Sequence, residues 1–404
     1  MNTLFGQLSR RPLALALLAT VLILVLVATT GSTTSSGANA SHTLTSASAQ
    51  AQGANGGLMN VQNSTLGFGA ILMLSLTSRT DRQDSISLIS SLCDMQVTHM
   101  IPGVVTDEIS PKAYPYGPAM KKLSQDEYKP YLGSWRSHMN AFKYIIDNKI
   151  ETALIIEDDV DWDINIKSQL TEFARGLRAS KLRRPFSQEE LARAPYGLDW
   201  DIMHLATSKV HMAPPPRDVA FTVYNDPYRA PDDTVNNGCM KGDTNAGWFC
   251  FQHITKHCHL NQTNRAIFPS YESVGLSAIA VSYRGAQRLL YHLSYKELID
   301  TLDYSIMNLI KDGNLRGWTV SPPIMSEWKI KGASDSDLKT LKSLGNSGGN
   351  MAGISAGIMH SARKALTEHL EGDDYWKSEA PYWNAANSKG QGPSSGALPT
   401  RDDW

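Results

Sequence analysis

Leu154-Ile155-Ile156-Glu157-Asp158-Asp159-Val160-Asp161-Trp162-Asp163 joins a short apolar run directly to five carboxylates within seven residues. The nearest basic side chains in sequence, Lys149 and Lys167, lie outside it. Like charges packed this closely repel, and removing them from water costs free energy unless something positive compensates. Two readings are open. The run is an acidic loop solvated at the edge of a sheet, or it holds a hard divalent cation at the carboxyl end of a buried strand, where open α/β sheets place their ligands.

The surrounding pattern supports an α/β chain. Ala70 to Leu76 is an apolar run that reads as a buried first strand. It ends in the polar turn Thr77-Ser78-Arg79-Thr80-Asp81-Arg82, with a helix expected over Ser85 to Leu92. Val97 to Val105 reads as a second, weaker strand. Trp135, Met139, Phe142, Ile145 and Ile146 form one apolar stripe on a helix over Gly133 to Asn148. Thr152 to Ile156 is then a strand, with the acidic run at its carboxyl end. Trp200 to Leu205 and Leu276 to Ser282 read as further strands, the latter leading into a helix over Arg284 to Leu293. Short apolar strands alternating with helices predict an α/β fold with a largely parallel sheet. Pro214 to Gly247, rich in Pro, Asn, Asp and Gly, reads as a long excursion or lid. Strand character is lost from about Gly345, with one helix expected within Ser355 to Glu371.

Charge and the amino terminus bound the setting. A net charge of −1 and the absence of a basic block give no reason to expect a nucleic-acid partner. No Lys, Arg, Asp or Glu occurs from Pro12 to Ser78. Residues 12–30 approach the roughly 20 residues needed to span a bilayer, and Arg10 and Arg11 favour a cytoplasmic amino end. A cleaved signal peptide is the alternative, with Ala38-Asn39-Ala40 resembling a cleavage site. Either way the expected address of the remainder is the secretory lumen. Residues 31–65 read as a disordered Ser/Thr/Gly/Ala-rich stem, in which Gly31 to Gly57 has nothing to pack and is expected to be a flexible tether. The expected domains are therefore a tail at 1–11, an anchor at 12–30, the stem, a catalytic domain at 66–340 and a carboxy-terminal helix and tail at 341–404. Sequons stand at Asn39, Asn63 and Asn261. Cys250, His253, His257 and Cys258 are zinc-ligand types, but their spacing matches no finger pair. One or two disulfides among Cys93, Cys239, Cys250 and Cys258 are expected instead.

Phosphate-binding glycine loops are missing: there is no G-x-x-x-x-G-K-[ST], and Gly67-Phe68-Gly69 precedes a strand rather than following one. A metal carrying a diphosphate would explain nucleotide binding without such a loop. Several segments together resemble glycosyltransferase family 25, the lipopolysaccharide and collagen galactosyltransferase group with fungal members. They are Leu74 to Arg82 with its Arg-x-x-Arg turn, Gly133-Ser134-Trp135-Arg136-Ser137-His138, and Leu154 to Val160 with its Glu-Asp-Asp. Asp199 to Leu205, Ala278 to Gln287, Val320-Ser321-Pro322-Pro323 and Ser334-Asp335-Ser336-Asp337 complete the set. Ile279 stands where the family usually has an aromatic residue, and the cysteine-bearing insert has no counterpart.

The resemblance implies a GT-A-like nucleotide-sugar-binding fold and a UDP-sugar donor, with UDP-galactose foremost. It also implies inverting transfer, here to a glycan or glycoprotein acceptor, with assistance from Mn2+ or another divalent cation; the amino-terminal anchor separately leads us to expect a type II membrane protein of the Golgi or endoplasmic reticulum. Asp159 is the expected metal ligand. Glu157, two residues back and on the same side of an extended chain, is assigned to the ribose, the metal or a metal-bound water, with Asp158 an alternative ligand. Arg79 and Arg82 would contact uracil or phosphate, or stand as solvated turn residues. His138 would line the donor pocket, or bond local backbone. Asp303, at the position of a later acidic residue of the family, is the candidate base for the acceptor hydroxyl, with Asp300 and Glu272 as rivals. Asp161 and Asp163, a literal Asp-x-Asp, are expected to be solvated.

Two other classes compete. A scaffold protein retaining the fold is one. A serine hydrolase is the other, because Gly345-Asn346-Ser347-Gly348-Gly349 satisfies G-x-S-x-G. That elbow needs a buried strand before it, and Asp337 to Ser343 is polar and lysine-bearing. Ser347→Ala is accordingly expected to leave UDP-sugar turnover unchanged, and an assay showing it abolished would sink the transferase reading.

Overall fold

The computed structural model describes residues 57–213, 220–231, 251–329, 336–337, 354–355 and 357–371. The anchor segment 12–30, the sequon at Asn39, Cys239, Cys250 and the Ser347 motif lie outside the described residues. Among those described, no helix is long and apolar enough to cross a membrane.

Eight strands form the central sheet, in the order β2-β1-β3-β10-β5-β11-β8-β7. They are β1 (Ala70–Ser75), β2 (His99–Pro102), β3 (Thr152–Glu157), β5 (Ile202–His204), β7 (Thr222–Asn225), β8 (Asn264–Pro269), β10 (Ala278–Ser282) and β11 (Gly317–Ser321). Six of the eight point one way; β10 and β8 run against their neighbours. A separate antiparallel pair joins β6 (Lys209–His211) to β9 (Glu272–Val274). The helices around these strands include α1 (Thr80–Leu92), α2 (Lys129–Asp147), α3 (Ile166–Ala179), α4 (Tyr283–Leu290), α5 (Leu302–Lys311) and α6 (Ala362–Glu371).

The continuous apolar runs of β1 and β3 arise from burial on both faces. Ala70, Leu72, Leu74, Ala153 and Ile155 pack against α2, α4 and α5 through Trp135, Phe142, Leu289 and Ile306. Ile71, Met73, Leu154 and Ile156 pack on the opposite face against α1 and α3, through Ile86, Ile89, Leu170 and Phe173. The strand period of two then carries Glu157, at the end of β3, to the side of Ile155, which is the α2 side.

Several boundaries differ from the sequence-based expectation. Leu58 and Val61 are core residues, so folded chain begins before the expected stem boundary at 65. Helix α1 starts at Thr80, which places Arg82 in its first turn rather than in a solvated loop. The expected lid contributes β7, the edge strand paired with β8. Past Gly345, β13 (Ile354–Ser355) pairs with β12 (Met325–Lys329), and β12 pairs with β4 (Val160–Trp162) in a second, three-stranded sheet. The expected disulfides do not reach Cys93 or Cys258, which are buried free thiols. Cys93 accepts a hydrogen bond from Trp162 Nε1, and Cys258 lies 3.8 Å from Met212 Sδ. Asn63 and Asn261 are exposed, as sequons require.

Helix α2 comes unusually close to the chain after β2. A Cβ on Gly133 would stand 2.3 Å from the Val104 carbonyl oxygen, and Ser137 Oγ, one turn on, accepts from Val104 N at 2.9 Å. The obstruction is backbone and cannot rotate away. Gly133→Ala is therefore expected to cost about 1–3 kcal/mol, read as a lowered midpoint in urea unfolding.

Candidate functional site

The carboxyl ends of β1 and β3 lie side by side, with Leu74 opposite Glu157 in parallel register. Beside them opens a cleft of about 350 Å³. Its floor comes from Leu74, Ser75, Arg82 and Glu157 to Asp159. Gly103 to Asp107 and the α2 residues Lys129, Ser134, Ser137 and His138 form the opposite wall, and Ser336 and Asp337 border it. Five of the residues expected from sequence thus line one cavity: Arg82, His138, Glu157, Asp158 and Asp159.

The three consecutive acids differ in environment. Asp158 is buried, and both its oxygens are engaged: Oδ1 accepts from Arg82 Nη1 at 2.6 Å and Oδ2 from Ser75 Oγ at 2.7 Å. It anchors the arginine. Asp159 Oδ2 lies 3.3 Å from the same Arg82 nitrogen, while its buried Oδ1 has no hydrogen-bond partner. Burial pushes the Asp159 pKa up to about 6, with Arg82 pulling it down and Glu327 and Asp158 pushing it further. Glu157 is raised well above the carboxylate range by burial first, then by Asp159, Glu327 and Asp158. Glu327, on β12, was missed from sequence; its Oε1 accepts from Ser277 Oγ at 3.1 Å.

An acid group short of positive charge, with an orphaned carboxylate oxygen, fits a cation. Among the described residues no three acidic, His or Cys side chains converge to cage a metal by themselves. That is compatible with the hard ions that take one or two carboxylates and complete their shell with water and substrate phosphate. Glu157 and Asp159 are the two that would hold it.

His138 is buried in the cleft wall. Its Nδ1 donates to the Ser134 carbonyl at 2.9 Å, and burial lowers its pKa to about 4, so it is neutral near pH 7. The local-backbone alternative is thus realised while the residue still lines the cleft. Arg79 is not part of the lining. It pairs with Asp81 at 3.0 Å and with Asp337 at 2.6 Å.

Asp303 also stands outside the lining. It sits in the first turn of α5, where its carboxylate accepts from Thr301 Oγ1 and from Tyr304 N, both at 2.9 Å. Its rivals are engaged elsewhere too. Asp300 pairs with Lys122, and Glu272 accepts from Lys311 and lies against His211. The expectation that Asp161 and Asp163 are solvated is wrong. Both are fully buried, because β4 pairs with β12 and the chain at 360–363 covers them. Besides local bonds from Trp162 N and Asn165, each accepts from a group some 200 residues away, which no local sequence signal reveals.

Fold and cleft define an α/β protein with an acidic, arginine-bordered cavity at the carboxyl ends of parallel strands. No protein-family profile matches the chain. It is similar to procollagen galactosyltransferase 1 of Danio rerio, 22% identical over 170 residues, covering 40% of this chain and 25% of that protein. Procollagen galactosyltransferase 2 of Mus musculus is 24% identical over 170 residues, 39% of this chain and 24% of that protein. A Bos taurus protein named probable inactive glycosyltransferase 25 family member 3 is 22% identical over 156 residues, 37% and 23% of the two chains. The chain thus spans about a quarter of the length of the curated relatives it matches. These similarities bear out the resemblance to glycosyltransferase family 25.

The raised Asp159 pKa has a thermodynamic sign. Between pH 3.8 and about 6 the folded chain keeps a proton that the unfolded chain releases. Stability from this group therefore falls as pH rises through that window. In EDTA at pH 7.5, Asp159→Asn is expected to be more stable than the parent by about 2 kcal/mol, and to lose that advantage by pH 4. Thermal melts at the two pH values check this.

Proposed function

We propose that this chain is a glycosyltransferase that binds a UDP-sugar, foremost UDP-galactose, in the cleft beside β1 and β3. The transferred hexose would go, with inversion, to a hydroxyl of a glycan or glycoprotein. The observation that carries the reading is the Glu157-Asp158-Asp159 run at the cleft floor, with Asp158 buried on an embedded arginine and Glu157 and Asp159 half-buried beside it, in a chain similar to galactosyltransferases. Mn2+ or a related cation held by Glu157 and Asp159 would act as a Lewis acid on the departing diphosphate.

The chain's own residues then divide the work. Asp158 holds Arg82 in place, and the Arg82 guanidinium offers positive charge beside the diphosphate. Neutral His138 shapes the donor wall. Its pKa near 4 makes it a poor proton acceptor at neutral pH. Asp303, whose carboxylate accepts from Thr301 Oγ1 and Tyr304 N, lies outside the lining, so the base is sought in Asp107 of the cleft wall. An anchor at residues 12–30 would tether the cleft on the luminal side of the Golgi or endoplasmic reticulum.

A scaffold that has lost turnover is the second reading, favoured by the probable inactive status in the name of one relative. The two separate in one assay. Purified full-length chain is offered each common UDP-sugar, with and without Mn2+, and UDP release is followed. Turnover that needs Mn2+ and falls about 100-fold in Asp159→Ala is the expected result. Turnover equal in Asp159→Ala and parent removes the metal assignment, and no turnover with any donor leaves the scaffold.

A further inference from the structure

The acidic run is built from two distant parts of the chain. The carbonyls on either side of Asp159 accept from one side chain: Arg363 Nη2 donates to Asp158 O at 3.1 Å and to Val160 O at 2.9 Å. Arg363 Nε also reaches Val160 O at 3.2 Å, and Nη1 donates to Ser85 Oγ on α1 at 2.6 Å. The Asp159 carbonyl itself accepts from Trp328 N of β12 at 2.7 Å. Three consecutive carbonyls of the turn are therefore each held from outside it.

Asp161 and Asp163 explain how Arg363 comes to be there. Asp161 accepts from Ser361 Oγ at 2.6 Å and from Arg363 N at 3.3 Å, and Asp163 accepts from His360 N at 2.8 Å. The apparent Asp-x-Asp motif is a dock for residues 360–363. Docking delivers a planar, fork-shaped donor to the main chain that carries Asp159. A guanidinium can bridge two carbonyls in a fixed plane, and an ammonium cannot match that geometry.

We propose that Arg363 is a positioning residue for the metal site: by gripping the carbonyls of Asp158 and Val160 it aims the Asp159 carboxylate at the cation. The inference rests on the metal-binding reading given under Proposed function. Groups that orient a ligating side chain without touching the metal typically change affinity 10- to 100-fold when removed.

The test is Mn2+ binding by full-length chain in the presence of UDP, read by electron paramagnetic resonance, beside a metal-free melt of each variant. Arg363→Met is expected to weaken Mn2+ binding by about tenfold or more. Arg363→Lys, which keeps the charge and loses the fork, should fall between that variant and the parent.

A cooperatively melting Arg363→Met that binds Mn2+ as the parent does would overturn the proposal. Where Arg363→Met does not fold, Arg363→Lys decides: binding equal to the parent assigns Arg363 a charge or folding role only. A parent that binds no Mn2+ with UDP present overturns the metal reading, and this inference with it. Normal parent binding with insensitive Arg363 variants overturns this inference alone.

Discussion

Arg82 is the cation placed inside the acidic run, and the cleft is organised around it. A buried guanidinium beside two carboxylates satisfies part of their charge and leaves the rest unbalanced. Its partner Asp158 is fixed in turn by Ser75, and Gln83 on the same helix reaches Ser75 Oγ and the Leu76 carbonyl. The end of β1, the first turn of α1 and the turn after β3 thus form one hydrogen-bonded unit. The guanidinium lets three acids stand side by side at the cleft floor, and burial with mutual repulsion still raises the pKa values of Glu157 and Asp159.

The two-sided burial of the sheet gives that unit its rigidity. β1 and β3 are packed on both faces, so their carboxyl ends cannot shift without disturbing helices above and below. The second sheet braces the turn from its other end: β4, directly after the acids, is tied to β12, and β12 to β13. Glu327 enters the electrostatics of Glu157 and Asp159 by this route.

What could be read from sequence reflected local physics. Apolar runs at 70–75 and 152–156 and the stripe on α2 announced strands and helix, and the charge density of 157–163 announced a site. Glu157 could be oriented by strand period alone. Ser75, Glu327 and Arg363 gave no such signal as members of the site, and nothing local tied Arg82 to Asp158, because these relations are made by pairing across 76 to 205 residues. The spacing of Asp161 and Asp163 resembled a ligand pair, yet those side chains meet the Ser361 hydroxyl and the backbone N–H groups of His360 and Arg363. Residue type and spacing report chemistry only where the chain itself, rather than the tertiary fold, decides what a side chain meets. Asp303 shows the same limit from the other side, since its carboxylate is taken up by Thr301 Oγ1 and Tyr304 N at the start of its own helix.

Residues 360–363 have a consequence in time. The acids are synthesised some 200 residues before the groups that dock on them. A growing chain on the ribosome therefore carries an unfinished site, with Asp161 and Asp163 still hydrated, until nearly all of the described residues have emerged. Closing a loop of that length costs chain entropy before any contact rewards it. The start of α6 supplies partners for carboxylates laid down much earlier, so the hydrogen bonding of the acidic turn is complete only once synthesis has run through to that helix.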